Sequence, residues 1–130
     1  MNILVGYDHS GVSEALLNLA REHALAFQAK ICLMTSLEQG STLKSEDVQR
    51  AESRLDRVMA LMKADGIPCE TKVSVSYLGA GEDLVKYANE NDVDEIIIGV
   101  KRRSKVGKLM FGSNAQYVIL KAACPVVTVK

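Results

Sequence analysis

The sequence predicts an α/β protein: a five-stranded parallel sheet in the order 3-2-1-4-5, with helices on both faces. Three observations predict it. Short β-branched runs alternate along the chain with stretches whose apolar residues recur every three or four positions. The resulting order, βαβαβαβαβ, is that of a parallel sheet covered on both sides, with right-handed crossovers. Two of the runs, 2–8 and 94–100, are apolar almost without interruption, which places them in the middle of the sheet.

Each element has its own signal. The first strand, "NILVGYD" (2–8), ends around Gly6. Ser10 is then placed to cap a helix, with Glu14 in its first turns. Val12, Ala15, Leu16, Leu19, Ala20, His23, Ala26 and Phe27 form the expected apolar stripe. "KICLMTS" (30–36) is the second strand and 37–44 a polar loop. Ser45, followed by Glu46 and Asp47, reads as a helix start, because the acids face the positive end of the helix dipole. Val48, Ala51, Leu55, Val58 and Met62 are its buried stripe, and Gly66 and Pro68 stop it. "CETKVSVSYL" (69–78) alternates apolar with polar, as a strand near a sheet edge does. A shorter helix covers about 81–90, and "DEIIIGV" (94–100) is the fourth strand. Ser113 caps a last helix to about Ala122, and "PVVTVK" (125–130) closes the sheet.

The chain has 130 residues, which suits one domain over 1–130. Its 16 Lys and Arg balance 16 Asp and Glu, but unevenly. Residues 1–98 hold every acid and nine cations; residues 99–130 hold seven cations and no acid. Five of those, Lys101, Arg102, Arg103, Lys105 and Lys108, crowd one loop, which points to an anionic partner. Cys32, Cys69 and Cys124 are three, widely spaced, and form no CxxC or Cys/His pair, so neither a disulfide framework nor a metal site is expected. The opening "MNILVGYD" lacks the pattern of a secretory leader, and no apolar run approaches about 18 residues. A reducing, cytoplasmic home and no membrane contact are the expectation.

In an open parallel sheet, ligands bind beyond the carboxyl ends of the strands, where the strand order switches. Here that is between strands 1 and 4. Gly6-Tyr7-Asp8 and Ile98-Gly99 should therefore meet, although more than 90 residues apart. Asp8 would accept hydrogen bonds from ribose hydroxyls or base nitrogens, or else cap the first helix. It is also the one carboxylate on offer there for Mg²⁺. Gly99 would let a backbone approach a ligand closely, since it has no Cβ. Gly112 and Ser113 open the last helix, whose free N–H groups and positive dipole end suit an anion. Arg102, Arg103, Lys105 and Lys108 would neutralise phosphate charge. Together these residues describe a polyphosphate cradle.

Two common phosphate motifs fail. Around Gly107-Lys108, a Walker A loop would need Gly where Arg102 stands and Ser or Thr in place of Leu109. The Gly79-Ala80-Gly81 run has Leu84 where a GxGxxG fingerprint needs its third glycine. No Ser-His-Asp or Cys-His set appears, so no catalytic residue is assigned.

At the level of whole motifs, the chain resembles the universal stress proteins of the small, UspA-like, single-domain type. "ILVGYDHS" is similar to the family's "ILVavDgS", "DEIIIGV" to "aDlIVmG", and "FGSNAQYVILKAACPVVTVK" to "lGSvaqrVlrhApcPVLvV". The spacing Gly99-x2-Arg102-x9-Gly112-Ser113 matches the G-x2-G-x9-G-[ST] of ATP-binding members, with Arg102 replacing the second glycine. The resemblance implies a Rossmann-like, adenine nucleotide alpha hydrolase-like fold and a bound ATP or other adenine nucleotide. Its contacts would be Gly6, Tyr7, Asp8, Ser36 beside the base, Ile98, Gly99, Gly112, Ser113 and Asn114. Ser36 is polar where the family is usually apolar. The resemblance also implies a homodimer through the last strand, 125–130, and a stress-linked regulator with at most slow ATPase activity. The alternative is a dimeric protein-interaction module that has lost nucleotide, with Arg102 as the mark of loss. Nucleic acid is a remote ligand, because the basic loop has no interleaved aromatics.

Overall fold

The computed structural model describes residues 1–8, 12–100 and 112–130. The element order is β1 (Asn2–Gly6), α1 (Ser13–Phe27), β2 (Lys30–Glu38), α2 (Ser45–Ala64), β3 (Cys69–Ser76), α3 (Ala80–Glu90), β4 (Glu95–Gly99), α4 (Ser113–Lys121) and β5 (Val126–Val129). The five strands form one parallel sheet in the expected order, β3-β2-β1-β4-β5. Its core divides by face. Ile3, Val5, Ile31, Leu33 and Ile97 pack against Leu16, Ala20 and Ala24 of α1 and Leu55, Val58 and Met62 of α2. Leu4, Met34, Ile96 and Ile98 pack against Leu84, Val85 and Ala88 of α3 and Val118 of α4. Alternate residues of β1 and β4 feed opposite faces, so both strands must be apolar throughout.

Several boundaries differ from the sequence reading. β1 stops at Gly6, not Asp8, and β2 runs two residues further because Leu37 and Glu38 pair with Val75 and Ser76 of β3. Two helix caps differ as well, while α2 starts at Ser45 as read. α1 begins at Ser13 with Val12 at its N-cap; Ser10, expected as the cap, lies outside the described residues. Ser45 and Ser113 are first helical residues, and the caps are Lys44 and Gly112. At α2 the acid Asp47 does the capping, accepting the Lys44 backbone N–H at 3.0 Å. The α1 stripe turns out to be Leu16, Ala20 and Ala24, while Ala15 and Ala26 face solvent. Phe27, expected inside, is 54% exposed and stands edge-on to His23, their rings 5.6 Å apart.

Candidate functional site

The two crossover directions part between β1 and β4, and a cleft opens there at the carboxyl end of the sheet. It occupies about 550 Å³, its mouth included. Gly6, Tyr7 and Asp8 enter it from the end of β1, Ser36 from β2, and Ile98 and Gly99 from β4. Asn114 enters from the first turn of α4. Seven of the residues expected at the site thus share one cavity, as the strand order demands. Gly112 and Ser113 directly precede Asn114 at the helix start. Arg102, Arg103, Lys105 and Lys108 lie outside the described residues, as does His9.

The wall of the cleft was only partly legible. Met34, Ala80, Leu84, Ala115 and Val118 also line it and supply an apolar floor. Their signals are positional. Met34 precedes Ser36 by two and shares its face of the strand. Ala80 and Leu84 are one turn apart on α3, and Ala115 and Val118 are three apart on α4.

Each polar element of the cleft has a structural reason to be where it is. The Tyr7 N–H donates to the Met34 carbonyl at 2.9 Å, and the Thr35 hydroxyl donates to the Tyr7 carbonyl at 2.8 Å. These bonds carry β1's pairing with β2 past the last strand residue and so fix the direction of Asp8. Gly6 has no Cβ to hold Leu84 away: one would meet Leu84 Cδ1 at 3.0 Å and Ile98 Cγ2 at 3.2 Å. The Ser36 hydroxyl oxygen is buried and has no partner among the described residues.

Two expected roles change. Gly99 lines the cleft, but the space of its missing Cβ is taken by Val12, whose Cγ2 would sit 2.5 Å from it. That glycine lets α1 approach β4. Asn114 turns its side chain toward α3, where Oδ1 accepts the Gly81 N–H at 3.0 Å. The starts of α3 and α4 therefore converge at the cleft, and the first N–H groups of α4 have no carbonyl within their own helix to bond. At Gly112 a Cβ would meet no described atom within 4 Å.

A five-stranded parallel sheet in this order, with a cleft at its switch point faced by a helix N-terminus, defines a Rossmann-like α/β fold. The chain belongs to the universal stress protein family, whose model matches residues 1–130. It is similar to a universal stress protein of Thermus aquaticus, with 28% identity over 98% of this chain and 97% of that one. Among solved structures, a universal stress protein from Archaeoglobus fulgidus superposes with a TM-score of 0.88 and 35% identity, covering 100% of this chain and 98% of the other. A second A. fulgidus structure, a universal stress protein in complex with dAMP, has a TM-score of 0.83 and 31% identity, again over 100% and 98% of the two chains.

Proposed function

We propose that the cleft takes an adenine nucleotide, ATP foremost, and that the protein acts as a cytoplasmic stress-linked regulator rather than a catalyst. The observation that carries this reading is the meeting of Asp8, an apolar floor and the start of α4 in one cleft. The dAMP complex of a relative 31% identical over the whole chain supports the adenine class. In this reading Asp8 accepts from the ribose or base, and Met34, Leu84 and Ile98 cover the nucleoside. The first amides of α4 and the Ser113 hydroxyl take phosphate oxygens. Arg102, Arg103 and Lys108 add positive charge to the phosphate end. Mg²⁺ would arrive on those phosphates, and holding it is the alternative role for Asp8 to a ribose or base contact. Among the described residues, no group of three potential metal ligands stands together.

Occupancy would act by favouring one conformation or assembly over another. The assembly we propose is a homodimer through the edge of β5, which pairs only with β4 among the described strands. The test is mass spectrometry of the natively purified protein for a retained nucleotide, followed by calorimetric titration with ATP, AMP and dAMP. Saturable binding of at least one is expected; no heat with any of the three overturns the reading. ATP hydrolysis no faster than in buffer, with Mg²⁺ or Mn²⁺ present, is the expected result for a regulator.

A further inference from the structure

The Gly79-Ala80-Gly81 run, which fails as a dinucleotide fingerprint, opens α3, and Asn114 lies in the first turn of α4. Ala80 and Asn114 both line the cleft. The two glycines that flank Ala80 are fitted to Asn114. A Cβ on Gly79 would come within 3.3 Å of Asn114 Oδ1. One on Gly81 would lie 2.6 Å from the Asn114 carbonyl oxygen and 3.0 Å from its Cα. Oδ1 itself accepts the Gly81 N–H at 3.0 Å. Backbone therefore abuts backbone where the helix starts meet, and the Asn114 side chain bonds them together.

The two helices serve the cleft differently. α3 supplies Ala80 and Leu84 to its apolar floor. α3 also carries Glu82 and Asp83 in its first turn, whereas the first turn of α4 has no acid. Acids in the first turn offset the positive end of a helix, so an anion is drawn to α4 rather than to α3. A ligand with a flat apolar ring and an anionic tail thus touches both helices at once. The spacing between them decides whether both contacts form together.

We propose, on the adenine-nucleotide reading of this cleft, that Asn114 is a positioning residue and makes the cleft select nucleotides over their separate parts. Its Oδ1 is engaged by α3. Its role is to hold the first amides of α4 at a fixed distance from the α3 floor, not to ligate phosphate. Two contacts held at the right separation reinforce each other, because the second forms at high effective concentration. Rigid spacing also lowers the ordering cost of binding. A nucleoside or a bare polyphosphate uses one end only and gains nothing from the spacing.

The test is competition calorimetry with ATP, adenosine and tripolyphosphate on the parent, Asn114→Ala and Gly79→Ala. The last variant keeps the amide but crowds Oδ1. Urea unfolding curves verify that each is folded. Asn114→Ala should lose about tenfold in ATP affinity, while adenosine and tripolyphosphate stay within about twofold of the parent. Gly79→Ala should show a smaller loss with the same selectivity. ATP affinity unchanged in Asn114→Ala, where the parent binds ATP, overturns the proposal and leaves the nucleotide reading in place. An equal loss for tripolyphosphate makes Asn114 a phosphate ligand, and an equal loss for adenosine makes it part of the nucleoside floor; either overturns the positioning role. A parent that binds no ATP, AMP or dAMP overturns the nucleotide reading and this role with it.

Discussion

Gly81 and Asn114 lock the starts of α3 and α4 together. The Asn114 Oδ1 accepts the Gly81 N–H at 3.0 Å, and a Cβ on Gly81 would lie 2.6 Å from the Asn114 carbonyl oxygen. Backbone cannot yield as a side-chain tip can. Gly81→Ala is therefore expected to force the helices apart and destabilise the fold by about 1–3 kcal/mol, read from the midpoint of urea unfolding. Asn114→Ala removes only the cap and should cost about 1 kcal/mol. If Gly81→Ala proves no costlier than Asn114→Ala, the contact is looser than described.

Gly99 makes a contact of a different kind, because what would collide with its Cβ is the Val12 side chain. Gly99→Ala should destabilise by about 1 kcal/mol or more through overpacking. Val12→Ala in the same chain should relieve part of that, giving a coupling energy of about 0.5–3 kcal/mol in a double-mutant cycle. Strict additivity of the two changes would show that Val12 does not occupy the glycine's space.

How much of this was legible in the sequence follows from what each signal encodes. Strand order came out whole because unbroken apolar runs occur where both faces of a strand are covered, and β1 and β4 have the longest. The register of β2 against β3 did not, since Leu37 and Glu38 join the sheet through pairing with Val75 and Ser76, a long-range fact. The cap of α4 was misread by one residue, whereas α2 starts at Ser45 as read. Ser113 has cap chemistry, but Gly112 adopts the extended N-cap conformation with φ −65° and ψ 160°, and at α2 it is Asp47 that satisfies the Lys44 amide. For the site, topology brought Asp8, Ser36 and Gly99 to one cleft. Composition could not say that the missing Cβ of Gly99 makes room for Val12, or that Asn114 reaches across to α3. Both depend on how helices cross.

The thiols supply a pH prediction. Burial, and then the neighbouring Cys32 thiolate, push the Cys69 thiol from 9.0 up to about 11. Burial raises Cys32 and Cys124 as well. A thiol whose pKa is higher in the folded state stabilises the fold fully below the unfolded value, and that contribution is lost as pH rises through the folded one. Unfolding free energy should thus fall between about pH 9 and about pH 11. Cys69→Ala should flatten part of that slope, at the cost of a small cavity. At neutral pH, iodoacetamide should label Cys69 far more slowly than it labels a free thiol peptide. Rapid labelling of the folded protein would contradict the burial.

The proposed dimer can be tested at one backbone position. The Ile96 N–H donates to the Pro125 carbonyl and the Val100 N–H to the Val129 carbonyl. In a parallel ladder this alternation turns the Val126 and Thr128 backbones away from β4. Thr128→Pro should therefore spare the bonds to β4 while blocking a partner strand at the free edge. Sedimentation should show the parent at twice the 14.1 kDa chain mass and the variant at one. A variant that still sediments as a dimer would place the interface elsewhere.

The nucleotide reading stands or falls at Gly112 and Asp8. Because a Cβ at Gly112 meets no described atom within 4 Å, Gly112→Ala should leave the fold standing, at the modest cost of a poorer N-cap residue. The same Cβ would project from the helix start where phosphate oxygens are proposed to bind. A loss of about 1–3 kcal/mol in ATP affinity is expected there, and a similar loss in Asp8→Ala, the scale of hydrogen bonds to charged groups. Calorimetry on the two variants, beside unfolding curves that verify their folds, separates a binding defect from a folding one. Affinity unchanged in both would remove the nucleotide from this cleft. Arg102→Gly then distinguishes two roles for Arg102, which stands where the resemblance expects a glycine. Tighter ATP binding means that the arginine obstructs the loop, whereas weaker binding means that its guanidinium grips phosphate, a contact that a glycine cannot make.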